Sequence, residues 1–163
     1  MSSDFEAHIV AREAHIDLFN RFCFALDQRN WTAFAALFTE DAGFTTTVGH
    51  GFDDNGALNP GEVVVSARGR EDVVATIASY IESVSATHHL MSNYVVDVAE
   101  DKKSASAFAY ARVYHIGKGP KAALFEESLA RFDIRTVYQQ SAWKIASMDE
   151  LVMIMLGTID VFR

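Results

Sequence analysis

From residue 87 onward the chain reads as one strand after another, and this run limits the fold more than any other feature of the sequence. Residues 87–99 and 104–116 alternate in polarity on either side of the turn Glu100-Asp101-Lys102-Lys103, the pattern of a hairpin. Gly117-Lys118-Gly119-Pro120-Lys121 marks a further turn, residues 122–137 a long strand with room for a bulge, and residues 143–155 a last strand. Strands joined by turns this short pair with their sequence neighbours, so the second half is expected to be an antiparallel meander.

The first half has a different period. Ile9, Ile16, Phe19, Cys23 and Leu26 recur at three, four and seven residues, with Glu6, Arg12, Glu13 and Arg21 filling the other side, which predicts a helix over 5–29 capped by Ser3 or Asp4. After the break at Gln28-Arg29-Asn30, Trp31, Phe34, Leu37 and Phe38 predict a short helix over 31–38. A strand over 43–48, a loop over 49–62, a short strand over 63–67 and a helix over 71–84 complete the series. Helices followed by a meander give an α+β fold, with the helices laid on one face of a curved antiparallel sheet. The 163 residues suit one domain with one core.

Twelve phenylalanines serve either a rich core or the lining of an apolar pocket. A net charge of −8, from 14 basic and 22 acidic residues, disfavours nucleic acid and anionic membranes as partners. The single cysteine, Cys23, excludes an intrachain disulfide and reads as a small buried hydrophobe. No block resembling a signal peptide and no span of bilayer length is present, so the expected location is cytoplasmic.

Two adjacent histidines open the strand at 87. Alternation puts Thr87, His89, Met91 and Asn93 on one face and His88, Leu90, Ser92 and Tyr94 on the other, so only one of the two histidines can face a given cavity. Asp27 lies one helical turn beyond Cys23 and two beyond Phe19, on the inward side of the first helix, at the end where the helix dipole disfavours a carboxylate. It is open between a histidine-paired site and an exposed aspartate in the turn. His115 and Tyr114 alternate, so one of them enters the interior; Arg112 and Tyr110 share the parity of Tyr114, which hints that theirs is the outer face. Phe19, Trp31, Phe34, Phe44 and Met91 are pocket or core residues, and Asn93, sharing the parity of His89, is placed to orient a ligand. His8, His15 and His50 have no metal-ligand spacing; neither a metal nor another cofactor is expected. The tail from Asp149 is apolar on both parities through Leu156. It predicts cover by helices on one side and by a second subunit on the other, with Ile159 and Phe162 closing a cavity mouth.

The element order, together with Ala25-Leu26-Asp27-Gln28-Arg29-Asn30-Trp31, Ala35-Ala36-Leu37-Phe38-Thr39-Glu40-Asp41-Ala42 and Thr87-His88-His89-Leu90-Met91-Ser92-Asn93, resembles the SnoaL-like branch of the nuclear-transport-factor-like superfamily over nearly the whole chain. The resemblance implies a cone-shaped α+β barrel enclosing an apolar pocket, a form shared by scytalone dehydratase, hexachlorocyclohexane dehydrochlorinase and bile-acid dehydratases. It places Asp27 on the family's aspartate, His89 on the catalytic histidine, and Arg112-Val113-Tyr114-His115 on the segment with a second active-site histidine. Leu26 stands where scytalone dehydratase has a tyrosine, and a second expected tyrosine is missing near Thr46. Asp27, His89 and His115 are then the expected catalytic residues, and Phe19, Trp31, Phe44, Met91, Asn93 and Tyr114 the expected contacts to substrate. The implied activity is that of a cofactor-independent lyase or isomerase, dehydratase-like, in which His89 takes a proton from a small apolar cyclic substrate with Asp27 behind it. The implied assembly is a homodimer or homotrimer. The alternative is a non-catalytic binding or assembly module, such as the small subunit of a ring-hydroxylating dioxygenase, because one fold hosts both.

Overall fold

The computed structural model describes residues 3–59 and 61–163. Helix α1 (Ser3–Asp27) and the short α2 (Trp31–Ala35) lead into strands β1 (Phe38–Val48) and β2 (Glu62–Arg68), then α3 (Arg70–Ser83) and four strands, β3 (Ala86–Val98), β4 (Ser104–Ile116), β5 (Phe125–Gln139) and β6 (Ala142–Gly157). A 3-10 turn at Ile159–Phe162 ends the chain. The cap expected at Ser3 or Asp4 lies outside the described side chains. No helix among the described residues is long and apolar enough to cross a membrane.

All six strands form one curved, unclosed sheet in the order β2-β1-β6-β5-β4-β3. The meander β3 to β6 is antiparallel throughout, whereas β1 runs parallel to β6, because α3 and the meander intervene between them in the chain. α1 lies against β3, and α3 against β1 and β2.

Several boundaries differ from the sequence pattern by a residue or two, as where α1 ends at Asp27, and two regions differ by more. β1 begins at Phe38, and α2 stops at Ala35: Phe38 pairs with Ile145, and the Ile145 N–H donates to the Leu37 carbonyl at 2.8 Å. Sheet pairing here outweighs the helical spacing of Leu37 and Phe38. β5 begins at Phe125, since Gly119–Lys121 forms a 3-10 turn closed by the Ala122 N–H on the Gly119 carbonyl, and the Leu124 N–H then bonds back to the Lys121 carbonyl.

The core lies between α1 and the sheet, with α2 packed on α1 and α3. Phe22, Phe34 and Phe38 meet at ring separations of 5.0–6.2 Å, contacts worth about 0.5–1.5 kcal/mol each beyond area burial. On β4 the inward residues Ala105, Ala107, Ala109 and Ala111 are small and leave room for these aromatics, and Val113 and His115 continue the same face. Toward that end of the strands the packing gives way to a cavity of about 730 Å³.

Candidate active site

The cavity is lined from every side of the fold: Phe22 and Leu26 from α1, Ile77 and Ile81 from α3, Phe44 and Val48 from β1, and Phe132 and Val152 from the sheet floor. Against this apolar wall the polar groups are few: His115, Glu126 and Ser128 are buried, His89, Thr46 and Glu150 half-buried, and His50, Glu62, Tyr80 and Arg163 stand at the rim.

Asp27, the last residue of α1, sits behind His89. Its carboxylate accepts from His89 Nδ1 at 2.7 Å, from the His89 backbone N–H at 3.1 Å and from the Thr87 hydroxyl at 2.8 Å, which fastens the end of α1 to the start of β3. Burial alone would raise this carboxyl; the bonds from the His89 ring and backbone, the His89 charge and the Thr87 bond outweigh it and hold the group below its usual range. An ionised carboxylate only accepts, so the His89 proton resides on Nδ1. Nε2 is left as a free acceptor on the cavity side, with no hydrogen-bond partner among the described residues. Burial lowers the His89 pKa from its ordinary value, against the opposing pull of Asp27, so the ring is a neutral base near neutral pH.

A second pair faces the first. His115 Nδ1 bonds Glu126 Oε2 at 2.7 Å, the Ser128 hydroxyl donates to the other Glu126 oxygen, and Glu126 is only 2% exposed. The His89 and His115 rings lie 5.8 Å apart, nearly perpendicular. By the same reasoning His115 presents its Nε2 to the cavity. The Phe162 ring packs on His115 at 4.8 Å and on Tyr80 at 5.9 Å, so the C-terminal turn, with Ile159 and Arg163, forms part of the cavity wall.

Of the residues expected to contact substrate, Phe44 lines the cavity and five do not. Phe19 is fully buried against Tyr94 and His15, deeper in the core. Trp31 turns its indole N–H outward to Glu82 at 2.8 Å. Met91 is buried within the core cluster, one inward position past His89 along β3. Asn93 is the residue of a β-bulge between Ser92 and Val95, with φ 55°, a left-handed conformation that asparagine tolerates; it is exposed, and the bulge turns Tyr94 inward instead. Tyr114 lies on the outer face, stacked on Phe125, while Arg112 beside it pairs with Glu127. His88 is exposed. Cys23 is buried, and burial first, with the Asp27 charge second, pushes its thiol up to about 12, so no thiolate forms there. His50 reaches the cavity rim, whereas Phe52 is exposed in a loop closed by a bridge to Leu58.

Glu126, Ser128, Thr46 and Glu150 are the polar cavity residues that the sequence reading missed. Strand parity was the available signal: Glu126 and Ser128 alternate in phase with Ala130, Phe132 and Ile134, and Glu150 with Met148 and Val152. No group of His, Cys, Asp and Glu among the described residues has metal-binding geometry.

The chain matches the SnoaL-like domain family over residues 7–149. It belongs to that family. Solved structures with a similar fold include a candidate scytalone dehydratase from Novosphingobium aromaticivorans (17% identity, 94% of this chain and 91% of that one, TM-score 0.73). A type 3 hexachlorocyclohexane dehydrochlorinase from Novosphingobium barchaimii superposes equally well (13% identity, 96% and 95% coverage, TM-score 0.73). So does the beta subunit of a candidate aromatic-ring-hydroxylating dioxygenase from N. aromaticivorans (15% identity, 91% and 92% coverage, TM-score 0.70). At these identities the likeness establishes the fold alone. Among curated protein sequences, none matches the chain.

Proposed function

We propose that this SnoaL-like protein is a lyase or isomerase of the dehydratase kind, acting on a small, largely apolar cyclic substrate by proton abstraction at His89. The observation that carries this reading is the 2.7 Å contact between Asp27 and His89 Nδ1, which leaves Nε2 free beside an apolar cavity. Asp27 fixes the tautomer and stabilises the imidazolium formed when Nε2 takes a proton from carbon. His115, held by Glu126 as His89 is held by Asp27, accepts a hydrogen bond from a substrate hydroxyl and so orients the ring. A positioned base takes the proton next to a carbonyl, and the apolar walls keep water from competing for that base. The dehydratase and dehydrochlorinase among the structural neighbours support the same reaction class.

The test uses 2-decalone, an apolar bicyclic ketone of suitable size, in D2O. The protein should catalyse exchange of its α-protons, and His89→Ala should slow that exchange by about 100-fold or more with an unchanged circular dichroism spectrum. An equal rate in the two proteins would overturn the assignment. Leu90, Val95, Ile154 and Leu156, left exposed on the strands, support self-association as a dimer or trimer, which light scattering would count.

A further inference from the structure

With both Nδ1 protons committed to carboxylates, the two histidines present acceptors to the cavity and no donor. The Ser128 and Thr46 hydroxyls are also committed, to Glu126 and Glu150. At the mouth, Arg163 pairs with Asp160 at 3.3 Å and Tyr80 is 42% exposed. A substrate oxygen deep in the cavity therefore needs a hydrogen from elsewhere.

Glu150 stands on β6 in the cavity wall. The Thr46 hydroxyl of β1 donates to its Oε2 at 2.8 Å, and Oε1 has no hydrogen-bond partner among the described residues. We propose that Glu150 is the proton donor of this cavity, offering a carboxyl O–H on Oε1 to the carbonyl or hydroxyl oxygen of a neutral cyclic substrate. Anionic substrates are disfavoured, because Glu126 lines the same low-dielectric space and repels a further negative charge there. Burial, with a smaller contribution from Glu126, pushes Glu150 up to about 6, against the bond from Thr46 and the charge of His115. The groups facing it are thus Thr46 from β1, His115 from β4 and Glu126 from β5, with His89 of β3 opposite and Tyr80, Glu62, His50 and Arg163 at the rim.

The inference rests on His89 as the base and completes its chemistry. In enolisation, His89 Nε2 takes the carbon-bound proton, the C–H pair forms the C=C bond, and the carbonyl π pair moves to oxygen, which takes the Glu150 proton. When water is lost from a β-hydroxyl, the C–O bond breaks instead, and the departing oxygen takes that proton. Either way an imidazolium and a carboxylate remain, and transfer of one proton between them resets the site.

Binding of 2-decalone, which accepts hydrogen bonds and cannot donate them, separates this role from that of His89. Calorimetric titration should show affinity falling about 30-fold between pH 5 and pH 7.5, the change in protonated fraction of a group titrating near 6. Glu150→Gln keeps a donor that does not titrate, so its affinity should be flat over that range while α-exchange falls about 100-fold or more. His89→Ala should keep the pH-dependent binding and lose the exchange. A pH dependence that persists in Glu150→Gln, full exchange activity in that variant, or no binding of the ketone at any pH would each overturn the role of Glu150. Unchanged exchange in His89→Ala would instead overturn the base.

Discussion

Replacing Asp27 by asparagine preserves volume and removes one acceptor and one charge, and the structure indicates what that costs. The carboxylate takes three bonds, from His89 Nδ1 at 2.7 Å, the His89 N–H at 3.1 Å and the Thr87 hydroxyl at 2.8 Å. An amide cannot accept on both sides. Its NH2 group either faces the His89 backbone N–H, leaving that donor without an acceptor, or faces Nδ1 and drives the ring to the tautomer with its proton on Nε2. In both cases the charge that stabilises the imidazolium is lost. A charge-assisted hydrogen bond is worth about 1.5–3 kcal/mol, which at about 1.36 kcal/mol per decade gives a rate loss of about 10- to 150-fold. The wrong tautomer extends the loss toward the full general-base contribution of about 10²–10⁴. Stability shifts as well. Because the Asp27 pKa is lowered in the fold, its contribution is present above the ordinary carboxylate range and disappears as pH falls through the folded value. Urea melts at pH 7 should show Asp27→Asn less stable by about 1–3 kcal/mol, with the gap narrowing toward low pH. Exchange of 2-decalone at the wild-type rate, by a variant whose fold is intact, would refute the reasoning.

Three other outcomes follow from the same contacts. Thr136→Val removes the hydroxyl 2.8 Å from His15 Nε2 in the closed core; it should cost about 1–3 kcal/mol in urea melts and leave exchange activity unchanged. Glu150→Gln should be more stable than wild type at pH 7.5 by up to about 2 kcal/mol, from a carboxyl raised from 4.5 to about 6. The sign follows from proton uptake: the folded state binds the extra proton, so the Glu150 contribution to stability is fully present below about 4.5 and is lost as pH rises through about 6, and the two proteins should converge in acid. Phe162→Ala removes the ring packed on His115 and Tyr80; it should weaken 2-decalone binding about five- to 30-fold by calorimetry, through about 1–2 kcal/mol of lost apolar contact.

The Asp27–His89 pair was legible because two independent periodicities locate it: helical spacing puts Asp27 on the side of Phe19 and Cys23, and strand alternation gives His89 a face opposite to His88. The meander was legible for a related reason, since its turns are short and polar. What escaped was governed by contacts distant in sequence. Phe38 carries a helical spacing, but pairing with Ile145 draws it into a strand, and nothing near Phe38 announces that partner. Asn93 has the parity of His89 until a single bulge residue reverses it. Glu126 and Glu150 each adjoin another acid, Glu127 and Asp149, and such pairs read as solvated surface; only the way β5 and β6 curve around the cavity makes Glu126 and Glu150 the cavity-lining member of each pair. The polar equipment of this site is therefore split between what local periodicity displays and what the curvature of the sheet creates.

The central claim is that His89 offers an unprotonated Nε2 to the cavity while Nδ1–H is held by Asp27. Nitrogen-15 NMR of imidazole-labelled protein at neutral pH measures this directly. The account predicts a protonated Nδ1 with a downfield hydrogen-bonded proton, and an Nε2 with a bare lone pair whose shift moves when 2-decalone is added. A proton found on Nε2, or an Nε2 resonance indifferent to the ketone, would contradict it.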